Sequence, residues 1–415
     1  MFRNIIQSVF TKGFVAVINF LVFIISAKYL GTSSRGEINI LVLNIAIIQI
    51  LNEIYTGYSL IYFIPKYDLK KIFLTGIIYT FLACSLGNSL FYFIGKQLPG
   101  YEWLSFIISM LVILNTFNCV LILGKEKIGL YNFLCFFQPL VLLLGLCFSI
   151  IYLKIFTLES YLFPMLISFA FSFPISLIAV IRIKAPVNEK KSFEAKPIFI
   201  YGFICQMGVL LFLLSNKYSY YLLGSNDQVG LYGTACSLIE SVLIIANGIS
   251  PVFLARVANS GKTENNIKMT LSLSKVSCLL SIATVMIILV IPNSIYVALL
   301  GKGYTMVKYY MLLYAPGIII MSFISIINNY FSAIGKLKQV LVCNLFGFVA
   351  SLIAAHVLIP VHGITGAAIA ANLAYLITAV CITFIFLRSN HLPFVQLFRF
   401  REDYSSIREL VFQKK

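Results

Sequence analysis

Apolar residues run along this chain in blocks of about twenty or more, separated by short polar gaps. About twenty helical residues cross the ~30 Å hydrocarbon core of a bilayer. The blocks predict twelve spanning helices, near residues 4–30, 38–64, 72–95, 103–124, 129–153, 161–181, 198–223, 228–255, 267–291, 305–334, 339–359 and 363–387. Those at 38–64 and 305–334 are longer than a span needs, which predicts tilt or extension past the membrane. The first block follows Arg3 and runs to Leu30, too long for the core of a cleaved signal peptide. It is read as the first span.

The longest interior polar stretch, 182–197, divides the pattern into two sets of six. It predicts an N-terminal six-helix lobe (1–182), a cytoplasmic linker (183–197), a C-terminal six-helix lobe (198–388) and a cytoplasmic tail (389–415). The lobes open alike. Gly13 and Phe14 start a helix that ends at Leu30 and Gly31, with Arg35, Gly36 and Glu37 beyond it. Gly202 and Phe203 start one that ends at Leu223 and Gly224, with Val229 and Gly230 beyond it. The next helix of each lobe holds one acid deep in an apolar run, Glu53 or Glu240. This reads as a decayed internal duplication, and paired like-oriented halves are a transporter plan with the substrate path between them.

Composition removes the soluble alternative. Sixty per cent of the 415 residues are apolar and 11% charged, against about 25% charged in a soluble domain. The net charge of +17 invites a nucleic-acid reading, but Lys and Arg sit in short gaps between apolar blocks. Positive-inside topology and anionic headgroups account for such gaps, and no nucleic-acid partner is expected. The N-terminus, alternate gaps and the C-terminal tail carry 22 basic residues, and the opposite gaps six. Both termini are therefore expected on the cytoplasmic side. Trp103 opens the fourth block beside an opposite-side loop, where interfacial aromatics belong.

Enzyme signatures are missing: there is no Walker A loop, GxGxxG, HExxH or GxSxG motif. The three histidines sit at loops or helix ends, and the nine cysteines are scattered through apolar blocks without a CxxC pair. No catalytic residue, metal site or cofactor is expected. A transport cycle would then draw on an ion gradient, the membrane potential or the substrate gradient.

Polar groups inside spans are costly and mark functional paths. At about 100° per residue, Ser8, Lys12, Asn19 and Ser26 fall within roughly 40° of one another on the first span, with Lys28 on the opposite face. The second span stacks Gln49 and Glu53 four residues apart, with Asn52 adjacent. The seventh places Gln206 and Lys217 on one face, and the eighth aligns Gly233, Ser237, Glu240, Asn247 and Pro251. The polar stripes thus fall on the first two helices of each half and predict a hydrated central cleft. Lys275, on the ninth span, is read as a snorkelling or helix-packing charge. Pro139, Pro164, Pro174, Pro251 and Pro316 each remove one helical hydrogen bond and predict kinks.

Four motifs in chain order carry a resemblance. They are Lys28 to Gly31 followed by Ser34 to Glu37; Leu223 and Gly224 followed by Val229 to Tyr232, Glu240 and Pro251; Leu300 to Tyr304 followed by Ala315 to Gly317; and Gly363 to Ile369. With twelve spans, the chain resembles the multidrug/oligosaccharidyl-lipid/polysaccharide (MOP) exporter superfamily, and within it the Wzx-type O-antigen and capsule flippases. Lys28 stands where that family usually has arginine. The resemblance implies an all-α integral membrane protein of two pseudosymmetric six-helix lobes around a V-shaped cleft, working by alternating access. It implies a substrate of undecaprenyl-pyrophosphate-linked oligosaccharide, moved from the cytoplasmic to the periplasmic leaflet of the inner membrane. Lys12 and Lys217 would meet the pyrophosphate, and Asn19, Gln49, Asn52, Gln206 and Asn247 the sugar hydroxyls. Glu53 and Glu240 would serve proton or sodium coupling, since two acids depart from a purely cationic cleft. Membrane lipids, a polysaccharide polymerase and a chain-length regulator are the expected partners, and the monomer the expected state. Two alternatives stay open: a multidrug and toxin extruder of the same superfamily, and a non-transporting partner of polysaccharide assembly. A glycosyltransferase would need larger external loops than these.

Overall fold

In the computed structural model, residues 2–57, 60–61, 63–64, 67–183, 194–243, 253, 257 and 263–398 are described. Twelve α-helices and no strands occur among them: α1 (Phe2–Thr56), α2 (Leu69–Phe93), α3 (Glu102–Gly124), α4 (Ile128–Cys147), α5 (Glu159–Ile181), α6 (Lys196–Lys217), α7 (Asn226–Glu240), α8 (Glu264–Val290), α9 (Asn293–Leu300), α10 (Val307–Ala333), α11 (Leu337–His362) and α12 (Ile364–Ser389). Ten are long and apolar enough to cross a membrane, and the chain is a multi-pass membrane protein. The short α9 lies in a connection that the apolar pattern reads as loop. Asn247, Pro251, most of the 183–197 linker and most of the tail fall outside the described residues.

The first two predicted spans form one element, α1, broken only at Gly31 (φ 78°, ψ −176°). That left-handed φ is one that a side chain rarely tolerates. The chain folds back there. The Arg35 guanidinium donates to Ser26 Oγ at 2.9 Å and lies 4.7 Å from the Phe23 ring centroid. In a straight helix nine residues span about 13 Å and twelve about 18 Å, so neither contact could form. Arg35 is 8% exposed: the sequence places it in a solvated gap, whereas the structure makes it the pin of the corner. Ser26 is committed to this pin, which takes it out of the polar stripe predicted on the first limb. Of that stripe, Lys12 and Asn19 are exposed.

The chain separates into two compact units. The first comprises Met1–Gln206 with Ser225–Leu231 and Val297–Tyr304, and the second Met207–Gly224, Tyr232–Tyr296 and Thr305–Lys415.

Two apolar clusters hold the first unit. One joins both limbs of α1 to α3, α4 and α5 through residues such as Ile18, Ile38, Ile108, Leu146 and Leu162. The other gathers Tyr55, Ile72, Phe117, Leu121 and Ile198. Between α5 and its neighbours runs a serine ladder at four-residue spacing. Ser168, Ser172 and Ser176, all fully buried, meet Gln138, Asn115 and Asn118 at 3.0–3.2 Å. Such pairs hold helices together where lipid supplies no hydrophobic drive. The start of α7 packs on the Gly31 corner through two glycines: a Cβ on Gly36 would fall on the Asn226 carbonyl, and one on Gly230 on the Thr32 carbonyl. Thr32 donates to Asp227 and Asn226 to Glu37 across this crossing.

In the second unit α11 and α12 pack along their length. Ala367, Ala368, Ala370, Ala371 and Ala374 are fully buried, and a Cβ on Gly347 would meet Thr378. Small residues permit that close approach. Lys275 is 5% exposed and donates to the Gln396 carbonyl at 2.8 Å, so it ties α8 to the short turn Phe394–Phe398.

Candidate functional site

In the first unit the site grows from the second limb of α1. Helical spacing puts Gln49 and Glu53 on one face, and Gln49 Nε2 donates to Glu53 Oε1 at 2.8 Å. Gln206 Nε2 donates to the other oxygen at 3.4 Å. Gln206 can reach because Gly202, one turn earlier on α6, allows backbone contact: a Cβ there would fall on the Ile54 carbonyl. Among the described residues no basic group lies within salt-bridge distance of Glu53, and its hydrogen-bond partners there are the two amides. Asn52 points elsewhere, is 1% exposed and donates to Thr56 Oγ1 at 2.7 Å.

Beside Gln49 lies a cavity of about 370 Å³, lined among others by Asn115, Thr116, Tyr131, Cys135 and Gln138. The Lys12 ammonium is near enough to the Cys135 thiol to act on it electrostatically. Gln49, predicted from the second stripe, lines this cavity, and Lys12 is not among its lining residues. Asn19 is exposed and has no hydrogen bond among the described residues. Asn115 and Gln138 were not legible as site residues. Their signal was the four-residue serine repeat of α5, which fixes which amides turn inward.

The second unit surrounds its acid differently. Lys217 ends α6, Glu240 ends α7, and Lys217 Nζ meets Glu240 Oε1 at 2.7 Å. Tyr314 donates to the same oxygen at 3.5 Å and shares a 2.6 Å hydroxyl contact with Tyr375. Edge-on ring contacts link Tyr220 to Tyr232 and Tyr232 to Tyr314 at 5.8 and 6.1 Å between centroids. The ammonium sits 5.4 Å from the Tyr220 ring, a cation–π arrangement. None of these four tyrosines was predicted as a site residue, although Tyr232 closes the second motif.

Local chemistry around Pro316 positions the pair Tyr314 and Tyr375. Proline removes a helical donor in α10, and Asn372 of α12 straddles that turn. It donates to the Leu313 carbonyl at 2.8 Å and accepts from the Gly317 amide at 3.0 Å. Tyr375 follows Asn372 by one turn and so meets Tyr314.

Of the residues singled out from sequence, the structure joins Gln49 and Gln206 with Glu53, and Lys217 with Glu240. Gln206 and Lys217, expected to share one face of a single path, serve different acids in different units.

The sequence matches no protein-family profile. No curated protein is significantly similar to it. Solved structures do resemble it. The lipid II flippase MurJ in an inward closed conformation superposes with a TM-score of 0.70 at 15% identity, covering 98% of this chain and 92% of that one. An inward-facing multidrug-resistance MATE transporter of the MOP superfamily also gives 0.70, at 13% identity over 93% and 95%. The Vibrio cholerae MATE transporter VcmN in its bent form gives 0.56 at 12% identity over 97% and 98%. At these identities the likeness is one of fold: the chain has the all-helical architecture of these transporters, with ten membrane-crossing helices among the described residues.

Proposed function

We propose that this chain is a flippase that carries an undecaprenyl-pyrophosphate-linked oligosaccharide repeat unit, of O-antigen or capsule type, to the outer leaflet of a bacterial inner membrane by alternating access. The observation that supports it most is the cavity of the first unit. Gln49, Asn115, Thr116 and Gln138 line it within a spanning bundle, and Lys12, on the same helix as Gln49, is the basic residue proposed to serve it. Amides and hydroxyls match sugar hydroxyls, and an ammonium is a point charge suited to pyrophosphate. The fold shared with a lipid II flippase supports the same substrate class.

We assign the first substrate contacts to Lys12, Asn19 and Gln49. Asn52, Gln206 and Lys217 are already bonded within their own units, and Asn247 remains a proposed contact. Glu53 is the candidate for proton or sodium coupling, because among the described residues its two oxygens are held by neutral amides. Both termini are placed in the cytoplasm by the distribution of basic residues. The protein would act as a monomer that hands its product to a polymerase and chain-length regulator.

The test is a deletion strain examined by surface-glycan gel and a lipid-leaflet assay. The expected result is loss of polymerised surface glycan, with lipid-linked repeat units trapped on the cytoplasmic side. In the complemented strain, Lys12→Ala should reduce export about tenfold or more, the scale of one charge-assisted hydrogen bond, while Lys12→Arg keeps most of it. Equal export by the alanine variant at matched expression removes Lys12 from the substrate path.

One observation favours a second reading. Glu240 lies against Tyr314, whose ring contacts run on to Tyr232, and an acid beside aromatic rings suits an organic cation that displaces Lys217; two of the structures of like fold are MATE transporters. Normal surface glycan in the deletion strain, with raised sensitivity to cationic drugs, would put the extruder first.

A further inference from the structure

A second polar cavity, of about 650 Å³, lies at the α2–α3 end of the first unit, away from the residues assigned above. Its size is that of a small-molecule site, ~300–1,000 Å³. α2 gives it Ser85, Ser89 and Tyr92 from one helical face, the intervening loop gives Gln97, and α3 gives Glu102 and Trp103. We infer that this cavity binds a neutral sugar, either the headgroup of a glycolipid in the same leaflet or a free saccharide.

The reasoning starts from what holds the cavity together. Asn88 at its base is 9% exposed, and its amide hydrogens go to the Cys84 carbonyl and Ser109 Oγ, both at 2.9 Å. Gln97 Nε2 donates to Asn88 Oδ1 at 3.4 Å and to the Glu102 carbonyl at 3.2 Å. The Gly100 amide donates to Glu102 Oε1 at 3.0 Å. The wall is therefore built by its own hydrogen bonds and does not need a ligand to form.

What is left over points inward. Gln97 Oε1, the second Glu102 oxygen, the Ser85 and Ser89 hydroxyls and the Trp103 indole N–H make no hydrogen bond among the described residues. Donors and acceptors in that mixture fit a ring of hydroxyls, each of which both donates and accepts. Beside them stand the faces of Trp103 and Tyr92, 80% and 60% exposed, which suit the apolar C–H face of a pyranose. Glu102 is the one charged lining residue, and it repels phosphate. An aromatic belt alone would explain Trp103 and Tyr92, but not the braced amides and acid behind them.

This inference stands independently of the transport reading, because its test contains no transport step. Trp103 is the chain's single tryptophan, so selectively excited tryptophan emission of the full-length protein in lipid vesicles, with no scaffold protein present, reports on this cavity. The probes are a neutral disaccharide in solution and a neutral glycolipid carrying the same headgroup. A saturable shift with either supports the proposal, and which one acts at the lower sugar concentration identifies the source. Ser89→Ala and Glu102→Gln keep the reporter, and each should weaken binding about tenfold, the loss of one or two hydrogen bonds. Three outcomes overturn the proposal: no saturable change with either sugar, equal binding by both variants, or a response to a quaternary ammonium ion or to a change of acyl chain in place of sugar.

Discussion

Glu53 and Glu240 are the deep acids of the two halves that the sequence predicts, and the structure surrounds them differently. Glu53 is held by Gln49 and Gln206, neutral amides that donate one hydrogen bond to each oxygen. Glu240 is held by a cation, Lys217, and by a phenol, Tyr314. The first arrangement leaves a negative charge available to an outside cation. The second has a cation built in. Two acids that look alike in the sequence therefore have different partners, and on the proposed function only Glu53 is assigned to ion coupling.

The contrast breaks most visibly at Lys217. Replacing it with methionine leaves Glu240 without its partner, and severing an ion pair of this kind costs about 3 kcal/mol or more. Lys217→Met combined with Glu240→Gln should recover most of that loss in a thermal unfolding series in detergent. Equal stability of the Lys217→Met single variant and wild type would show that the pair holds nothing together. Gly202→Ala comes next. Its methyl would fall on the Ile54 carbonyl and push α6 off α1, at ~1–3 kcal/mol. Gln206 would then be withdrawn from Glu53, whereas Lys217 at the other end of α6 keeps its contact, a difference visible by cysteine cross-linking of each pair.

Glu53→Gln is the sharpest functional test of the comparison. Stability should change by about 1 kcal/mol, the scale of one hydrogen bond, while transport loses its response to an imposed ion gradient. Retention of the response in Glu53→Gln, with loss in Glu240→Gln, would reverse the roles assigned to the two acids. The smallest effect belongs to Tyr314→Phe. It removes one hydroxyl from the Tyr314, Tyr375 and Glu240 contacts and should lower stability by about 0.5–1 kcal/mol. A loss several times larger would mean that the tyrosines, rather than Lys217, carry the Glu240 site.

The apolar pattern made the spans legible because a bilayer demands long apolar helices whatever their partners. The acids and Gln49 were legible for the opposite reason, as exceptions inside those runs. What escaped was everything decided between distant helices. Nothing in local sequence says that Gln206 turns to Glu53 while Lys217 turns to Glu240. That division depends on Gly202 and on the turn between Lys217 and Tyr221. The tyrosines around Glu240 were hidden by number, since 24 of them occur in the chain. Arg35 was misread because a charge beside a glycine corner looks solvated until the two limbs close over it.

That corner also bears on how the protein enters the bilayer. Gly31 leaves no loop between the limbs of α1, so neither limb can be delivered alone. The two must partition as a helical hairpin, and on the proposed orientation Arg35 travels to the far side with it. A lone arginine at mid-membrane is disfavoured by about 2.5–3.5 kcal/mol on insertion scales. Once Ser26 and the Phe23 ring enclose the guanidinium, the hairpin can cross with its charge already covered, and its pin becomes a device of biogenesis as well as of architecture.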